Sequence, residues 1–325
     1  RCQPERVICG RRCLWREICK HQNRFHSAAP IRDCLVVSRD LDFSPQAAAA
    51  ANYAFRLATR IHANVMLYHA FTMPDPSDKS YKSWSVEDYF LRKESLATTL
   101  SAWAERLVNS AHPSSGDFTP TISCASELGE LTDAVQSHIF ANHDVVLAVV
   151  GIHGRHRATR LLFENNVNRM LSMGMCPVLV VPEGAAYEDP SYVCFATDFS
   201  RSHMRALHSL SSLCTHFGSE ISLVWVSNKV KKPGDIPDAV RDFLTEVSTA
   251  VGYPKLYYRP VRNRFVVNGL YRSSLHGPCD LFVLVHRVRS RWYRITKGST
   301  TRQLIHRVEM PLLVFPEAMA SYPVF

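Results

Sequence analysis

A pair of glycines follows an apolar run in the first half of the sequence, where bare backbone could meet a ligand. Residues 145–150 are all apolar, and Gly151-Ile-His-Gly154 comes directly after them. Glycines that follow a buried strand let phosphate oxygens approach backbone N–H groups. The basic residues that follow would add positive charge, and they are Arg155, His156, Arg157 and Arg160. The pattern predicts an anion-binding loop, and the alternative is two turn glycines that contact no ligand.

The triplet Asp-Phe-Ser occurs twice and begins at Asp42 and at Asp198. Each triplet follows a short apolar run and precedes a helical pattern, and Ser44-Pro45 supplies an N-cap residue and a first-turn proline. A short acid at this place either contacts a ligand at the carboxyl end of a strand or caps the next helix. The sequence leaves both roles open.

Signatures of covalent and metal chemistry are not legible in the sequence. There is no Ser-His-Asp set, no pair of catalytic acids and no Walker lysine motif. His153 and His286 are interpreted as exposed loop residues. A zinc site usually contains a C-x2-C pair, whereas the spacing near the start is C-x6-C-x3-C-x5-C, formed by Cys2, Cys9, Cys13 and Cys19. We expect no metal, and we expect reduced thiols in the cytoplasm.

The formal charge of +9 is unevenly distributed. Residues 1–30 carry seven basic and two acidic residues, so the rest of the chain is only mildly basic. That balance predicts no nucleic-acid partner, and no apolar run approaches the roughly 20 residues that span a membrane. The basic tail, residues 1–29, has no helical or strand period and is expected to be disordered. The basic run of Arg287, Arg289, Arg291, Arg294 and Lys297 is either a solvated surface or a site for a phosphate or acidic partner.

The second half of the sequence repeats the first. Residues 176–183 and 310–317 are identical at five of eight positions at a separation of 134, whereas the Asp-Phe-Ser triplets lie 156 positions apart. The first copy must therefore hold 22 extra residues between these landmarks. Residues 74–95, with two prolines and a polar run, are their predicted place. The repeat predicts a first repeat at residues 30–184 and a second repeat at residues 185–325.

Within each copy, strand-like apolar runs alternate with helical patterns. One helix is expected to begin at Ser85 with Asp88, and its buried stripe is Leu96, Leu100, Trp103 and Leu107. Strands that alternate with helices form a parallel sheet covered on both faces. We therefore predict an α/β protein of two tandem, doubly wound, five-stranded parallel sheets. The final strands, residues 178–181 and 312–315, are apolar and should join the two repeats as an intramolecular pseudo-dimer. Further self-association would be an additional contact of the same kind.

Residues 31–317 resemble the universal stress protein family, whose fold is of the adenine nucleotide alpha hydrolase type. The resemblance rests on the first-strand Asp followed by Phe-Ser, on the G-x2-G after the fourth strand, and on the terminal strand P-[VL]-L-V-x-P. In nucleotide-binding members, G-x2-G is followed nine residues later by Gly-Ser, both hold phosphates, and the first-strand Asp contacts the adenosine moiety.

Each repeat keeps a different half of that family motif. The first repeat has Gly151 and Gly154, but Glu164-Asn165 stands in place of Gly-Ser. The second repeat has Asp198 and Gly298-Ser299, but Val285 and Val288 replace the paired glycines. The nucleotide contacts that the resemblance implies are Asp42, Val150, Gly151, His153, Gly154, Asn165, Asp198, Gly298 and Ser299.

The resemblance implies a stress-response protein that binds a ligand and signals through its conformation or a partner, without turnover chemistry. Adenine nucleotide, with ATP as the candidate, is expected mainly in the first repeat. One alternative is a partner-binding scaffold that takes no ligand. A second alternative is a weak ATPase, which would need an intact phosphate cradle together with a metal or base.

Overall fold

The computed structural model describes residues 32–38, 44–73, 84–110, 118–141, 144–152, 166–228, 238–287, 300–305, 307 and 309–325. From Arg32 to Phe325 the chain forms one compact unit. The basic tail predicted at residues 1–29 lies outside the described residues.

Five parallel strands form the sheet of the first repeat. They are β1 (Asp33–Ser38), β2 (Asn64–Phe71), β3 (Ile122–Leu128), β4 (Val145–Ile152) and β5 (Val178–Pro182). Their order across the sheet is β3-β2-β1-β4-β5. The chain therefore runs outward to one edge, returns to the centre and continues to the other edge, as doubly wound folds do.

The second repeat has the same arrangement. Its strands are β6 (Tyr192–Ala196), β7 (Glu220–Ser227), β8 (Leu256–Arg262), β9 (Leu281–His286) and β10 (Leu312–Pro316). Their order is β8-β7-β6-β9-β10, which reproduces the order of the first repeat strand for strand. The predicted fold class, two tandem doubly wound parallel sheets, is confirmed.

The two sheets meet through their final strands. Strand β5 pairs antiparallel with β10, and Leu179 lies opposite Leu313 in the register. All ten strands thus belong to one continuous sheet. Both strands are fully buried, so each repeat covers an apolar edge that the other would otherwise expose to solvent.

Eight helices of the described residues cover the sheet. They are α1 (Pro45–Ile61), α2 (Val86–Ser110), α3 (Leu131–Ala141), α4 (residues 166–173), α5 (Arg201–Thr215), α6 (Asp238–Val251), α7 (Val266–Leu275) and α8 (Thr300–Ile305). Alternate strand residues enter opposite apolar layers: Cys34 and Val36 face α1 and α2, whereas Leu35 and Val37 face α3 and α4. Both faces of the sheet are therefore packed.

Helix α2 begins and packs as the sequence predicts. The Asp88 carboxylate accepts hydrogen bonds from the N–H and hydroxyl of Ser85 at 2.6 and 2.9 Å, and the Ser85 hydroxyl accepts from Asp88 N–H at 3.1 Å. These bonds complete a reciprocal cap and lower the pKa of Asp88. The buried residues of α2 are Leu96, Leu100, Trp103 and Leu107, the predicted stripe.

Two local expectations for the first repeat need correction. Helix α2 is 25 residues long whereas its counterpart α6 has 14, so 11 of the 22 extra residues lengthen a helix, and the others separate α2 from β2 and β3, instead of lying within residues 74–95 alone. Ser44 occupies the N-cap position of α1, but its side chain makes no capping hydrogen bond. The first-turn proline, Pro45, is where the sequence places it.

Gly151 is required by the packing of α1 on β4. A Cβ added at this position would overlap the carbonyl oxygen of Gln46, in the first turn of α1, and would lie 2.6 Å from its carbonyl carbon. The neighbour is backbone, which cannot rotate away. The glycine therefore allows a helix and a strand to approach each other more closely than any side chain would permit.

Substitution of Gly151 should consequently reduce stability whether or not a ligand binds. We expect Gly151→Ala to lower the free energy of unfolding by about 1–3 kcal/mol, because α1 must move away from β4. Urea denaturation of the unliganded protein measures the change. Gly184→Ala is the matched control, since a Cβ at Gly184 meets nothing within 4 Å. Equal effects of the two substitutions would contradict this explanation.

Candidate functional site

The carboxyl ends of β6, β9 and β10 bring together the charged side chains of the second repeat. Asp198 follows β6, Arg287 follows β9, and Glu317 follows β10. These strands are parallel neighbours, so the residues that follow them emerge at the same edge of the sheet. Open α/β sheets bind their ligands at this edge.

Arg287 bridges the two carboxylates. Its Nη1 donates to Asp198 Oδ2 at 2.5 Å, and its Nη2 lies 3.4 Å from Oδ1. On the other side, Nε lies 3.2 Å from Glu317 Oε1, an ion-pair distance without the alignment of a hydrogen bond. The Ser202 hydroxyl donates to the same Glu317 oxygen at 3.0 Å. The guanidinium thus occupies the space between the strand ends, with 29% of its side chain exposed.

The loop that carries Asp198 is held in a strained conformation. Phe199 has a φ of 63°, in the left-handed region that residues with a side chain seldom adopt. Its ring packs against Phe243, Trp225 and Tyr258, with centroids 5.2, 5.6 and 6.2 Å away. The aromatic contacts offset the strain and fix the direction of the neighbouring carboxylate. Asp198 Oδ1 also accepts a hydrogen bond from Ser200 N–H at 3.2 Å, so this carboxylate fixes its own loop in addition to binding Arg287.

His203, in the first turn of α5, lies beneath this loop as a buried, neutral base. Its Nδ1 accepts from Asp198 N–H at 3.1 Å and lies 3.2 Å from the Thr197 hydroxyl, which donates to it. Burial lowers the pKa of His203 to about 4, although Asp198 and Glu317 act in the opposite direction. Asp198 Oδ1 is 3.3 Å from Nδ1, but at neutral pH this contact is not an ion pair because the imidazole carries no charge.

The Asp198 carboxyl is ionised in this setting. Burial alone would raise its pKa, but His203 when protonated, the hydrogen bonds from Ser200 and the Arg287 guanidinium together lower it. At neutral pH the Ser200 and Arg287 contributions remain. The site therefore pairs one cation with two anions. The carboxylates already neutralise the guanidinium, so it offers no unpaired positive charge to a phosphate.

The first repeat presents a different edge. Gly151 stands where the second repeat has Val285, and Gln46 stands where it has Ser202. Gln46 is 3% exposed, and within the described part of the chain its amide oxygen Oε1 has no hydrogen-bond partner. Val150 is buried in the apolar core, so only its backbone is available to a ligand. The edge thus contains a closely packed helix N-terminus and a buried acceptor that is not satisfied.

Most other residues implied as nucleotide contacts cannot be placed. Asp42, His153, Gly154, Asn165, Gly298 and Ser299 lie outside the described residues. Asp198 and Gly151 are described, and they belong to different repeats. His286 was interpreted as an exposed loop residue, and this was wrong. It is the last residue of β9, it is 4% exposed, and its Nδ1 lies 3.3 Å from the Thr301 hydroxyl.

A cleft of about 340 Å³ lies elsewhere, between α5 and the loop from α6 to β8. Loops that lead from a helix into a strand lie at the amino ends of the strands, opposite Asp198. The polar groups of this cleft are satisfied internally: Tyr253 OH donates to Ser219 O at 2.6 Å, and Lys255 Nζ donates to Gly218 O at 2.7 Å. The cleft therefore offers little to a polar ligand.

Neither a metal site nor a membrane span is found in the described ranges. No group of three or more His, Cys, Asp or Glu side chains in these ranges is placed to hold a metal ion. None of the described helices combines the length and the apolar character that crossing a bilayer takes.

Comparison with known proteins identifies the first repeat. Residues 40–182 match the sequence pattern of the universal stress protein family. This segment belongs to the universal stress protein family. No curated protein matches the chain by sequence.

Solved structures extend the likeness in fold to nearly the whole chain. A universal stress protein from Archaeoglobus fulgidus DSM 4304 covers 89% of this chain and 100% of its own, with a TM-score of 0.66 and 15% identity. A functionally unknown protein from Pseudomonas aeruginosa PAO1 covers 89% of this chain and 94% of its own, with a TM-score of 0.54 and 14% identity. At such identities the likeness is one of fold. Both repeats thus have the universal stress protein fold.

The universal stress motif did not reveal the residues that form the ion-pair bridge of the second repeat. Arg287 aligns with His153 and Glu317 with Glu183 at the 134-residue separation, so the repeat could have suggested that these positions share an edge. The bridge between them depends on tertiary distances that no motif reports. Gln46 and His203 gave no signal, because each sits within an otherwise ordinary helical pattern.

The buried state of His203 makes a prediction for pH dependence. Its folded pKa of about 4 lies below the ordinary 6.5, so between these values the unfolded chain takes up a proton that the native protein excludes. The free energy of unfolding should therefore fall as the pH decreases from about 6.5 to 4, with about 2–3 kcal/mol due to this group. In His203→Asn, which keeps an amide near the position of Nδ1, this component of the slope should disappear.

Chemical denaturation at several pH values measures the slope. His208→Asn, on the exposed face of the same helix, should keep the wild-type slope. A wild-type slope in His203→Asn would show that the native imidazole takes up its proton at the same pH as in the unfolded chain, which would contradict the lowered pKa.

Proposed function

We propose that this chain is a stress-response protein that binds an adenine nucleotide in its first repeat and keeps its second repeat closed with its own Arg287. It acts by binding and by the resulting change in conformation or partner contact, in the cytoplasm, and not by turnover. ATP is the candidate nucleotide. The second repeat is proposed to be a universal stress domain that has lost its ligand.

The buried amide of Gln46 carries this proposal. A buried acceptor without a partner costs about 1–3 kcal/mol, a cost that a ligand donor would remove. Phosphates at neutral pH supply few donors, whereas ribose hydroxyls and the amino group of adenine supply several. The proposed contact is therefore with the nucleoside part of the ligand, at the start of α1.

The surroundings of Gln46 support an anion beside it. Helix α1 is 17 residues long, and its N-terminal turn lies against Gly151, the first glycine of the G-x2-G loop. The free N–H groups and dipole of a helix N-terminus favour negative charge. A nucleotide would place its phosphates towards these N–H groups and the glycine loop.

The second repeat lacks both features. Val285 replaces the glycine, Ser202 replaces the glutamine, and the Ser202 hydroxyl is already bonded to Glu317. Arg287, a cation of the described residues that could attract a phosphate, is paired with Asp198 and Glu317. A ligand would have to break that bridge before it could bind, so we propose one nucleotide per chain.

The alternative is a scaffold without ligand. It would hold if the first repeat were closed in the same way as the second. The weak ATPase is less well supported. The described residues offer no metal cluster, and the neutral base His203 lies in the repeat that Arg287 closes.

Substitution of Gln46 by methionine tests the proposed site. Methionine has a similar length but accepts no strong hydrogen bond, so Gln46→Met should weaken ATP binding about five- to tenfold, the value of one lost hydrogen bond. The same change should leave stability unchanged or raise it, because it removes an unsatisfied buried oxygen. Isothermal titration calorimetry and thermal unfolding of the same samples measure the two effects.

Ser202→Ala is the matched control at the equivalent position of the second repeat, and it should not alter ATP affinity. Unchanged affinity in Gln46→Met would exclude the nucleoside contact. The absence of binding heat in the wild-type protein would contradict nucleotide binding altogether and would favour the scaffold.

A further inference from the structure

The ten-stranded sheet ends in two equivalent outer strands, β3 in the first repeat and β8 in the second. Each has seven residues. Ile122 begins β3 opposite the second residue of β2, and Leu256 begins β8 opposite the second residue of β7. An outer strand presents backbone N–H and C=O groups on its free side, where another chain can pair with them. The two strands can therefore be compared position by position.

Strand β8 is protected against such pairing. Lys255 O and Asn263 N–H, at its two ends, bond to β7, so the odd-numbered residues face β7 and the even-numbered residues face outward. Pro260, the fifth residue of β8, thus lies on the free side and offers no N–H there. Arg259 and Arg262 add charge to the same strand, which is a second common protection of sheet edges.

Strand β3 has neither protection. Thr121 O and Gly129 N–H bond to β2, so here too the even-numbered residues face outward. These residues are Ile122, Cys124, Ser126 and Leu128. The fifth residue is Ser126, which keeps the N–H that β8 lacks, and the strand contains no Pro, Lys or Arg. Among the described residues no further strand lies beyond β3, so it is an open edge.

Helix α2 packs on β3 and presents an apolar side past this edge. The connection β2–α2–β3 joins parallel neighbours, and such connections are right-handed. Viewed along α2 from its N-terminus, the direction past β3 therefore lies about a quarter turn clockwise from the buried stripe. The residues on that side are Phe90, Ala97, Ser101, Ala104 and Val108. Phe90 and Val108 are 61% and 45% exposed, so the side is not covered within the chain.

We propose that two copies of this chain associate through β3 and α2 about a two-fold axis perpendicular to the sheet. The two β3 strands would pair antiparallel, as β5 and β10 already do within the chain. The same axis places the two α2 helices side by side and antiparallel on one face of the joined sheet. Because Pro260 protects the other edge, the assembly closes at two chains and does not grow into a filament.

The strand is complementary to itself in this arrangement. With Cys124 opposite Ser126 of the partner subunit, all four outward residues find backbone partners. Glu127 then lies opposite Ser123 of the partner subunit, so no like charges meet across the pair. Glu127 also keeps its hydrogen bond from Tyr68 OH, at 2.8 Å.

The helix side is complementary to itself as well. Phe90 and Val108 are 18 residues apart, five whole turns, so in an antiparallel pair each Phe90 meets Val108 of the partner subunit. The middle of the side consists of the small residues Ala97, Ser101 and Ala104. Small residues are needed there, because paired strands lie only about 4.8 Å apart and the helices above them must approach closely. A second copy therefore fits both the strand and the helix.

Ser126→Pro gives β3 the protection that β8 has, and it tests the strand contact. The Ser126 N–H faces away from β2, so the repeat should still fold, whereas the dimer dissociation constant should rise about tenfold or more. Sedimentation equilibrium of the whole chain measures the constant, and thermal unfolding checks the fold. Ser126→Ala keeps the N–H and is the matched control, which should dimerise like the wild type.

Ala97→Arg tests the helix contact independently of the strand. A long charged side chain in the middle of the helix pair should also raise the dissociation constant about tenfold or more. Ser95→Arg is the matched control, because it adds the same charge at an exposed position on the opposite side of α2, and it should leave the dimer intact.

Cys124 reports the contact directly, because it is exposed and lies next to the proposed axis. A short bismaleimide should join Cys124 to Cys124 of the partner subunit, as peptide mass spectrometry would show. A wild-type chain that sediments as a monomer at all concentrations would contradict the proposal. A dimer that withstands both Ser126→Pro and Ala97→Arg would show that the copies associate through another surface, and the proposal would be wrong.

Discussion

The proposed difference in ligand binding between the two repeats depends on one guanidinium held between two carboxylates. The topology brings the loops after β6, β9 and β10 to one edge, so Asp198 and Glu317 would repel each other there without a cation. A ligand or metal could supply the compensating charge, but the chain supplies it itself through Arg287. Buried or half-buried charges that are paired in this way are costly to separate, and an incoming phosphate would have to compete for the same guanidinium.

The two repeats also differ at the first turn of their first helix. Gly151 lets α1 lie directly against β4, and the side chain of Gln46 is buried with an unsatisfied oxygen. In the second repeat Val285 occupies the corresponding position and packs against the apolar core, and the Ser202 hydroxyl donates to Glu317. The change from a glycine to a β-branched residue therefore alters the contacts that a ligand could make.

Features that depend on local sequence were predictable, and features that depend on charge pairing were not. The stripe from Leu96 to Leu107 and the cap formed by Ser85 and Asp88 follow from spacing along the chain, and the structure has both. The repeat led to the fold class and to the joining of the two repeats through their final strands. The burial of His286 and the bridge of Arg287 arise from contacts between residues distant in sequence. The sequence alone therefore could not show that an arginine of this basic run is paired with carboxylates. The extra length of α2 was misplaced because a proline-rich segment looks like an insertion, whereas a longer helix leaves no such mark.

The central claim is that one repeat is open to an adenine nucleotide and the other is closed by its own arginine. Native mass spectrometry of the intact chain with ATP in increasing excess tests it directly, because it counts bound ligands. The account predicts that binding saturates at one nucleotide per chain. Saturation at two nucleotides per chain would show that a ligand displaces Arg287 from the two carboxylates. A chain that stays unliganded would show that the first repeat is closed as well.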